Sequence, residues 1–203
     1  MSDGFARIQA GRERQKLEED AVHRWYRFVL AYPDHLVLDM LDRFAADQRD
    51  FILDPFCGTG TTLVECKKLG IDSSGIDANP ASVLASWVKT DWAVDPDHLA
   101  QLCEELVVEV RPISDALMFS EKPLFAEYEN TDPLRDNIIS QSLVAQYLIS
   151  SGMIDRGWID EIPFMISIAL LSEIEALDVD ARYKRALKLA LVSCIVESAA
   201  NVR

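Results

Sequence analysis

The stretch Asp54-Pro55-Phe56-Cys57-Gly58-Thr59-Gly60-Thr61-Thr62 has the residue types and spacing to hold a ligand. An apolar run, Phe51-Ile52-Leu53, precedes it, and Leu63-Val64-Glu65-Cys66-Lys67-Lys68-Leu69 follows in a helical pattern. The order predicts a strand, a glycine turn and a helix N-terminus. In such a turn glycine lets backbone come close to a ligand, and the first free N–H groups of the helix face an anion. Thr61 and Thr62 suit the helix start, and Gly70 suits its end.

Three ligands compete for a turn of this kind. A nucleoside triphosphate loop needs Lys after its last glycine, and here Thr61 follows Gly60. A dinucleotide fingerprint needs a third glycine where Leu63 stands. S-adenosylmethionine brings a carboxylate for the helix N-terminus, a ribose diol and an adenine, and no phosphate. The next segment favours this third ligand. Residues 71–77 read as a second short strand ending in Asp77, 23 residues after Asp54. That is close to the separation of roughly 20 at which an acid meets ribose hydroxyls. A carboxylate accepts two hydrogen bonds from a diol. Asn79-Pro80 then opens a helix over about 81–90.

The run from Leu53 to Pro80, LDPFCGTGTTLVECKKLGIDSSGIDANP, resembles the cofactor motif of DNA methyltransferases that act on an exocyclic amino group, adenine N6 or cytosine N4. The upstream run His23-Arg24-Trp25-Tyr26-Arg27-Phe28-Val29-Leu30-Ala31-Tyr32-Pro33 is similar to the segment that helps wall the cofactor pocket in that family. The resemblance covers roughly residues 22–95. It implies an S-adenosylmethionine site formed by Asp54, Pro55, Phe56, Cys57, Gly58, Thr59, Gly60, Asp77 and Ala78, with Tyr26 from the upstream run. Asp54 is expected to hold the loop and reach the methionine amino group, and Asp77 to bind the ribose hydroxyls. Gly58 and Gly60 permit backbone approach, and Phe56 lies against the apolar parts. Cys57 reads as a small packed residue rather than a nucleophile. Trp25, Tyr26 and Tyr32 are candidates for stacking on adenine, against the ordinary reading of aromatics as core.

The family's catalytic motif, Asp/Asn/Ser-Pro-Pro-aromatic, has no counterpart, because all eight prolines of this chain are isolated. Only two convincing parallel strands are legible, near 51–54 and 73–77, with a short third conceivable at Trp92-Ala93-Val94. Parallel sheets need several strands and helices on both faces. The expectation is therefore α/β: an incomplete Rossmann-like methyltransferase sheet, N-terminal strands only, with a large helical C-terminal region. A second chain or a further segment should supply the remaining strands, the catalytic motif and target recognition. DNA would be engaged through that complex, and the chain should be inactive alone.

Composition bounds the rest. Over 203 residues, 49% are hydrophobic, enough for a sizeable core. No apolar stretch reaches membrane-spanning length, and the four cysteines lack Cys-x-x-Cys pairing, which fits reduced thiols and a cytoplasmic location. The three histidines are scattered, so no metal site is visible. Net charge is −14: residues 1–95 carry 11 basic against 16 acidic groups, and residues 96–203 carry 9 against 18. DNA affinity comes mainly from Lys and Arg on phosphates, so a basic partner must grip the duplex or DNA is not the substrate. Local clusters at Arg7, Arg12, Arg14, Lys16 and at Arg182, Lys184, Arg185, Lys188 read more readily as solvated helix faces.

Along the chain, residues 1–20 form a polar arm, 21–95 the cofactor-binding α/β part, and 96–203 a helical region expected to contact the partner. Helices are expected at about 15–31, 34–46, 97–110 with a break near Pro112, 133–151, 158–177 and 179–200, and an irregular stretch at 119–132. The last two helices carry more than one apolar stripe, as either an internal hairpin core or a partner surface. Two other classes stay open: a scaffold subunit that keeps the fold without chemistry, and a complete small-molecule or RNA methyltransferase.

Overall fold

A computed structural model describes residues 21–26, 32–119, 133–152, 154, 156 and 160–198. The expected arm at 1–20, with its basic cluster, and the irregular stretch after Phe119 lie outside these residues. The chain divides into two compact units, Met1–Val94 and Asp95–Arg203.

The first unit runs α1 (Ala21–Arg24), α2 (Asp34–Arg43), β1 (Phe51–Asp54), α3 (Thr61–Leu69), β2 (Asp72–Gly75) and α4 (Pro80–Thr90). The strands pair in parallel, from Phe51 opposite Asp72 to Asp54 opposite Gly75. Side chains alternate across a strand, so Ile52 faces a core of Val37, Leu41, Cys66 and Ile71, which joins α2 to α3. Phe51 and Leu53 point the other way and remain 65% and 58% exposed. α3 ends at Gly70, whose φ of +71° costs a glycine little. The helix expected over 15–31 does not run unbroken: it ends at Arg24, with Trp25 and Tyr26 in a turn and bend. Trp92-Ala93-Val94 is a turn rather than a third strand. Trp92 Nε1 donates to the Lys89 carbonyl at 2.9 Å, folding this turn onto the end of α4, and Lys67 Nζ lies 5.2 Å from the indole centroid.

The second unit is helical among the described residues: α5 (Pro96–Phe119), α6 (Pro133–Gln141), α7 (Leu143–Ser150), α8 (Glu161–Ala176) and α9 (Ala181–Ser198). α5 passes through Pro112 without the expected break. Proline in a helix interior costs about 3 kcal/mol. Buried Leu102, Leu106, Val110 and Leu117, with half-buried Ile113, keep one apolar stripe in phase across it, and their packing offsets that cost. The single helix expected at 133–151 is two, because Ser142 caps α7 by accepting from Ala145 N–H at 3.2 Å. α8 packs on α5, α6 and α9. Phe164, Met165 and Ile168 enter one core with Leu117, Ile138 and Ala145, and Ile174 enters another with Leu102, Leu106 and Leu187. Most apolar residues of α8 are thus used inside its own unit, while Ile162 stays 43% exposed. No described helix is long and apolar enough to cross a membrane.

Candidate functional site

β1 delivers Asp54 to the start of the glycine turn, and β2 delivers Asp77 beside it. Ile76 N–H donates to the Asp54 carbonyl at 2.9 Å, and Cys57 N–H donates to the Ile76 carbonyl at 3.0 Å. The parallel pairing therefore continues past the strand ends and joins the two loops. Asp77 then closes the turn. Its Oδ2 accepts from Gly58 N–H at 2.9 Å and its Oδ1 from Asn79 N–H at 2.8 Å. One lone-pair direction on each oxygen is left for another donor.

Asp54 is committed to the loop it starts. Its Oδ1 accepts from Phe56 N–H at 3.1 Å. Its Oδ2 accepts from Thr62 Oγ1 at 2.6 Å and from the Tyr32 hydroxyl at 2.8 Å, and the two hydroxyl oxygens are themselves 2.6 Å apart. Burial is the main reason the Tyr32 phenol is raised above its ordinary pKa, so it stays a donor at neutral pH. The hydroxyl of Tyr32, a stacking candidate in the sequence, supports Asp54. Thr62 stands in the first turn of α3, as its type suggests, and its hydroxyl serves Asp54.

Gly60 is the N-cap of α3 with φ +87°, so this helix end has no capping side chain. A Cβ there would stand 2.9 Å from Ser86 Cβ and 3.0 Å from Ser86 Cα. Gly58, at φ +52°, has nothing within 4 Å of where a Cβ would lie. One glycine is thus required by close packing against α4, and the other faces open space. Gly75 is a second sterically required glycine: its Cβ would lie 2.6 Å from Cys57 Cβ. The sequence reading missed it, and its place at the end of β2, two residues before the acid, was the available signal. Cys57 and Thr59 are buried, while Pro55, Phe56 and Ala78 are exposed. Burial first, then the charges of Asp54 and Asp77, push the Cys57 thiol up, which disfavours a thiolate.

Tyr26 is half-buried and is tied to α4 rather than to the turn: Lys89 Nζ donates to its carbonyl at 3.1 Å. Lys89 itself is 2% exposed, and burial pulls its pKa from 10.5 down to about 8. The unfolded chain therefore binds more protons than the folded one between those values, and the destabilisation from this group is relieved as pH rises through that window. We expect Lys89→Met to gain stability over the wild type below pH 8. That advantage should shrink at up to about 1.4 kcal/mol per pH unit from pH 8 to 10. Urea melts of both proteins across this range check it, and a difference independent of pH would show that Lys89 titrates normally.

Elsewhere in the first unit a groove of about 370 Å³ is lined by Leu36, Val37, Met40, Leu41 and Phe44 of α2 and its C-terminal edge, with Ile52 of β1. Tyr32 and Thr62 are its polar border. It contains neither the glycines nor Asp77, so it lies apart from the glycine turn. His23, Asp34 and Glu65, far apart in sequence, place their ligand atoms within 4.8 Å of one another.

Residues 6–86 match the family model for DNA methylases of the N6/N4 type. Three type II methyltransferases are similar to parts of the chain. M.BsoBI of Geobacillus stearothermophilus is 39% identical over 71 residues, 35% of this chain and 14% of that protein. M.MjaII of Methanocaldococcus jannaschii is 55% identical over 40 residues, 20% and 8% respectively. M.MwoI of Methanothermobacter wolfeii is 31% identical over 102 residues, 49% and 15%. The chain thus covers well under a fifth of the length of these relatives. No solved structure matches it.

Proposed function

We propose, from the DNA methylase match over residues 6–86, that this chain is the S-adenosylmethionine-binding part of a DNA amino-methyltransferase. The target would be an exocyclic amino group of adenine or cytosine. The observation that carries the reading is the turn closed by Asp77 on Gly58 N–H, inside the matched segment. The residues fit the cofactor. Gly58 faces open space, and Asp77 keeps acceptor capacity for a diol. The uncapped start of α3 presents N–H groups to a carboxylate. Asp54, Pro55, Phe56, Cys57, Gly58, Thr59 and Gly60 would hold the methionine end, Asp77 and Ala78 the ribose, and Tyr26 would form part of the wall. When bound, S-adenosylmethionine supplies the electrophilic methyl that the amino nitrogen takes up. This chain's share is to orient that methyl. Base flipping and proton acceptance would fall to a catalytic motif elsewhere.

In this reading residues 21–95 are the cofactor-binding part of an incomplete Rossmann-like sheet, and residues 96–203 contribute partner contacts. Support comes from β1, whose Phe51 and Leu53 leave apolar side chains exposed on a face that parallel sheets normally bury. The net charge of −14 supports a basic partner as the element that grips DNA.

Calorimetric titration with S-adenosylmethionine tests this, on the chain alone and co-expressed with a protein carrying the Pro-Pro-aromatic motif. Binding that appears or tightens in the complex, with methyl transfer to DNA only there, is the expected result. A folded chain that binds no cofactor in either state would replace this reading with a scaffold role. Methylation of small acceptors by the single chain would point to a small-molecule enzyme.

A further inference from the structure

Two charged side chains of the first unit are almost wholly withdrawn from water: Glu65, 0% exposed, and Lys89, 2% exposed. Burying charge is costly unless it is paired and hydrogen-bonded, and an apolar residue at either position would avoid that cost. Both reach the same short segment, 21–26. Glu65 Oε1 accepts from His23 Nε2 at 2.8 Å and from Lys68 Nζ at 2.7 Å. Lys89 Nζ donates to the Tyr26 carbonyl at 3.1 Å.

Their helices are the two that build the turn. Glu65 lies on α3, three residues beyond Thr62, whose hydroxyl supports Asp54. Lys89 lies on α4, three residues beyond Ser86, which packs against Gly60. Residues three apart share a helix face, so each buried charge stands one turn from a contact that shapes the glycine loop.

We infer that Glu65 and Lys89 are positioning residues that clasp the 21–26 segment to α3 and α4, and thereby set the affinity of the cofactor pocket that Tyr26 helps to wall. The inference rests on the cofactor reading above. His23 is the donor side chain of one clasp, and the Tyr26 carbonyl is the acceptor of the other. Asp34 also stands near His23 and Glu65, in an arrangement that suits a divalent cation. The Lys68 ammonium on Glu65 already supplies the positive charge this carboxylate needs, so the clasp requires no ion.

The test compares wild type with His23→Ala, which leaves Glu65 paired to Lys68, and with Lys89→Met. Amide hydrogen exchange at residues 21–26 and calorimetric affinity for S-adenosylmethionine are read on each full-length protein, with circular dichroism to confirm the fold. The clasp predicts faster exchange at 21–26, no faster exchange in β1 and α3, and roughly tenfold weaker cofactor binding in each variant. Unchanged exchange overturns it, and so does faster exchange with unaltered affinity. A wild type that binds no cofactor removes the cofactor reading. The clasp itself is then decided by exchange alone: faster exchange at 21–26 in both variants keeps it, and unchanged exchange overturns it. Should Zn²⁺ raise the melting temperature of wild type but not of His23→Ala, the cluster is a metal site and the clasp is overturned.

Discussion

Gly60→Ala should destabilise the first unit by about 2–5 kcal/mol, adding left-handed backbone strain of roughly 1–2 to an overpacking cost of roughly 1–3. Two independent causes act at this position. The backbone sits at φ +87°, and a Cβ would meet the Ser86 Cβ and Cα at 2.9 and 3.0 Å. The Ser86 Cα belongs to α4 and cannot turn away as a flexible side chain would. For a unit of this size the loss amounts to at least about 8 °C in melting temperature. Gly58→Ala is the control. It carries positive φ without a clash, so it should lose about 1–2 kcal/mol. Adding Ser86→Gly to Gly60→Ala should recover part of the loss by removing the crowding Cβ and Oγ. Equal melting temperatures for the two glycine variants would show that α4 does not press on the turn.

That contrast marks what a sequence discloses and what it conceals. The two glycines, the acids that flank them and the strand–turn–helix order were legible from 51 to 77, since each depends on local backbone chemistry and spacing along the chain. The resemblance to DNA methylases rested on the same stretch and is matched by the family over residues 6–86. Which glycine is sterically required was not legible, because Ser86 reaches Gly60 from another helix. Tyr32, Thr62 and Asp54 form one hydrogen-bonded group from three elements, and no spacing rule joins positions 32 and 62. His23 and Glu65 lie 42 residues apart. Lone residues of these types read as ordinary surface or core until tertiary contact pairs them. Pro112 erred in the opposite direction. Proline was weighed as a breaker, yet the stripe at 102, 106, 110, 113 and 117 already kept helical phase across it. Local propensity loses there to continuous packing against α8.

The largest functional effect is expected at Asp77. Its carboxylate has two duties in the proposed site: closing the turn through Gly58 N–H, which the hydrogen bond at 2.9 Å displays, and accepting the ribose hydroxyls. Asp77→Ala should weaken S-adenosylmethionine binding by about 1.5–3 kcal/mol, or roughly 10- to 150-fold, if hydrogen bonds to a charged acceptor are lost. The two duties separate by choice of ligand. A cofactor analogue without ribose hydroxyls cannot use the diol contact, so it should bind wild type and Asp77→Ala with closely similar affinity if ribose recognition dominates. A penalty of the same size with the analogue would mean that Asp77 acts by holding the turn in shape. The Asn79 N–H would lose its acceptor in either case, so the melting temperature of Asp77→Ala must be measured alongside. If the variant melts like wild type and binds S-adenosylmethionine equally well, Asp77 is outside the cofactor site and the proposed assignment of the ribose end is wrong.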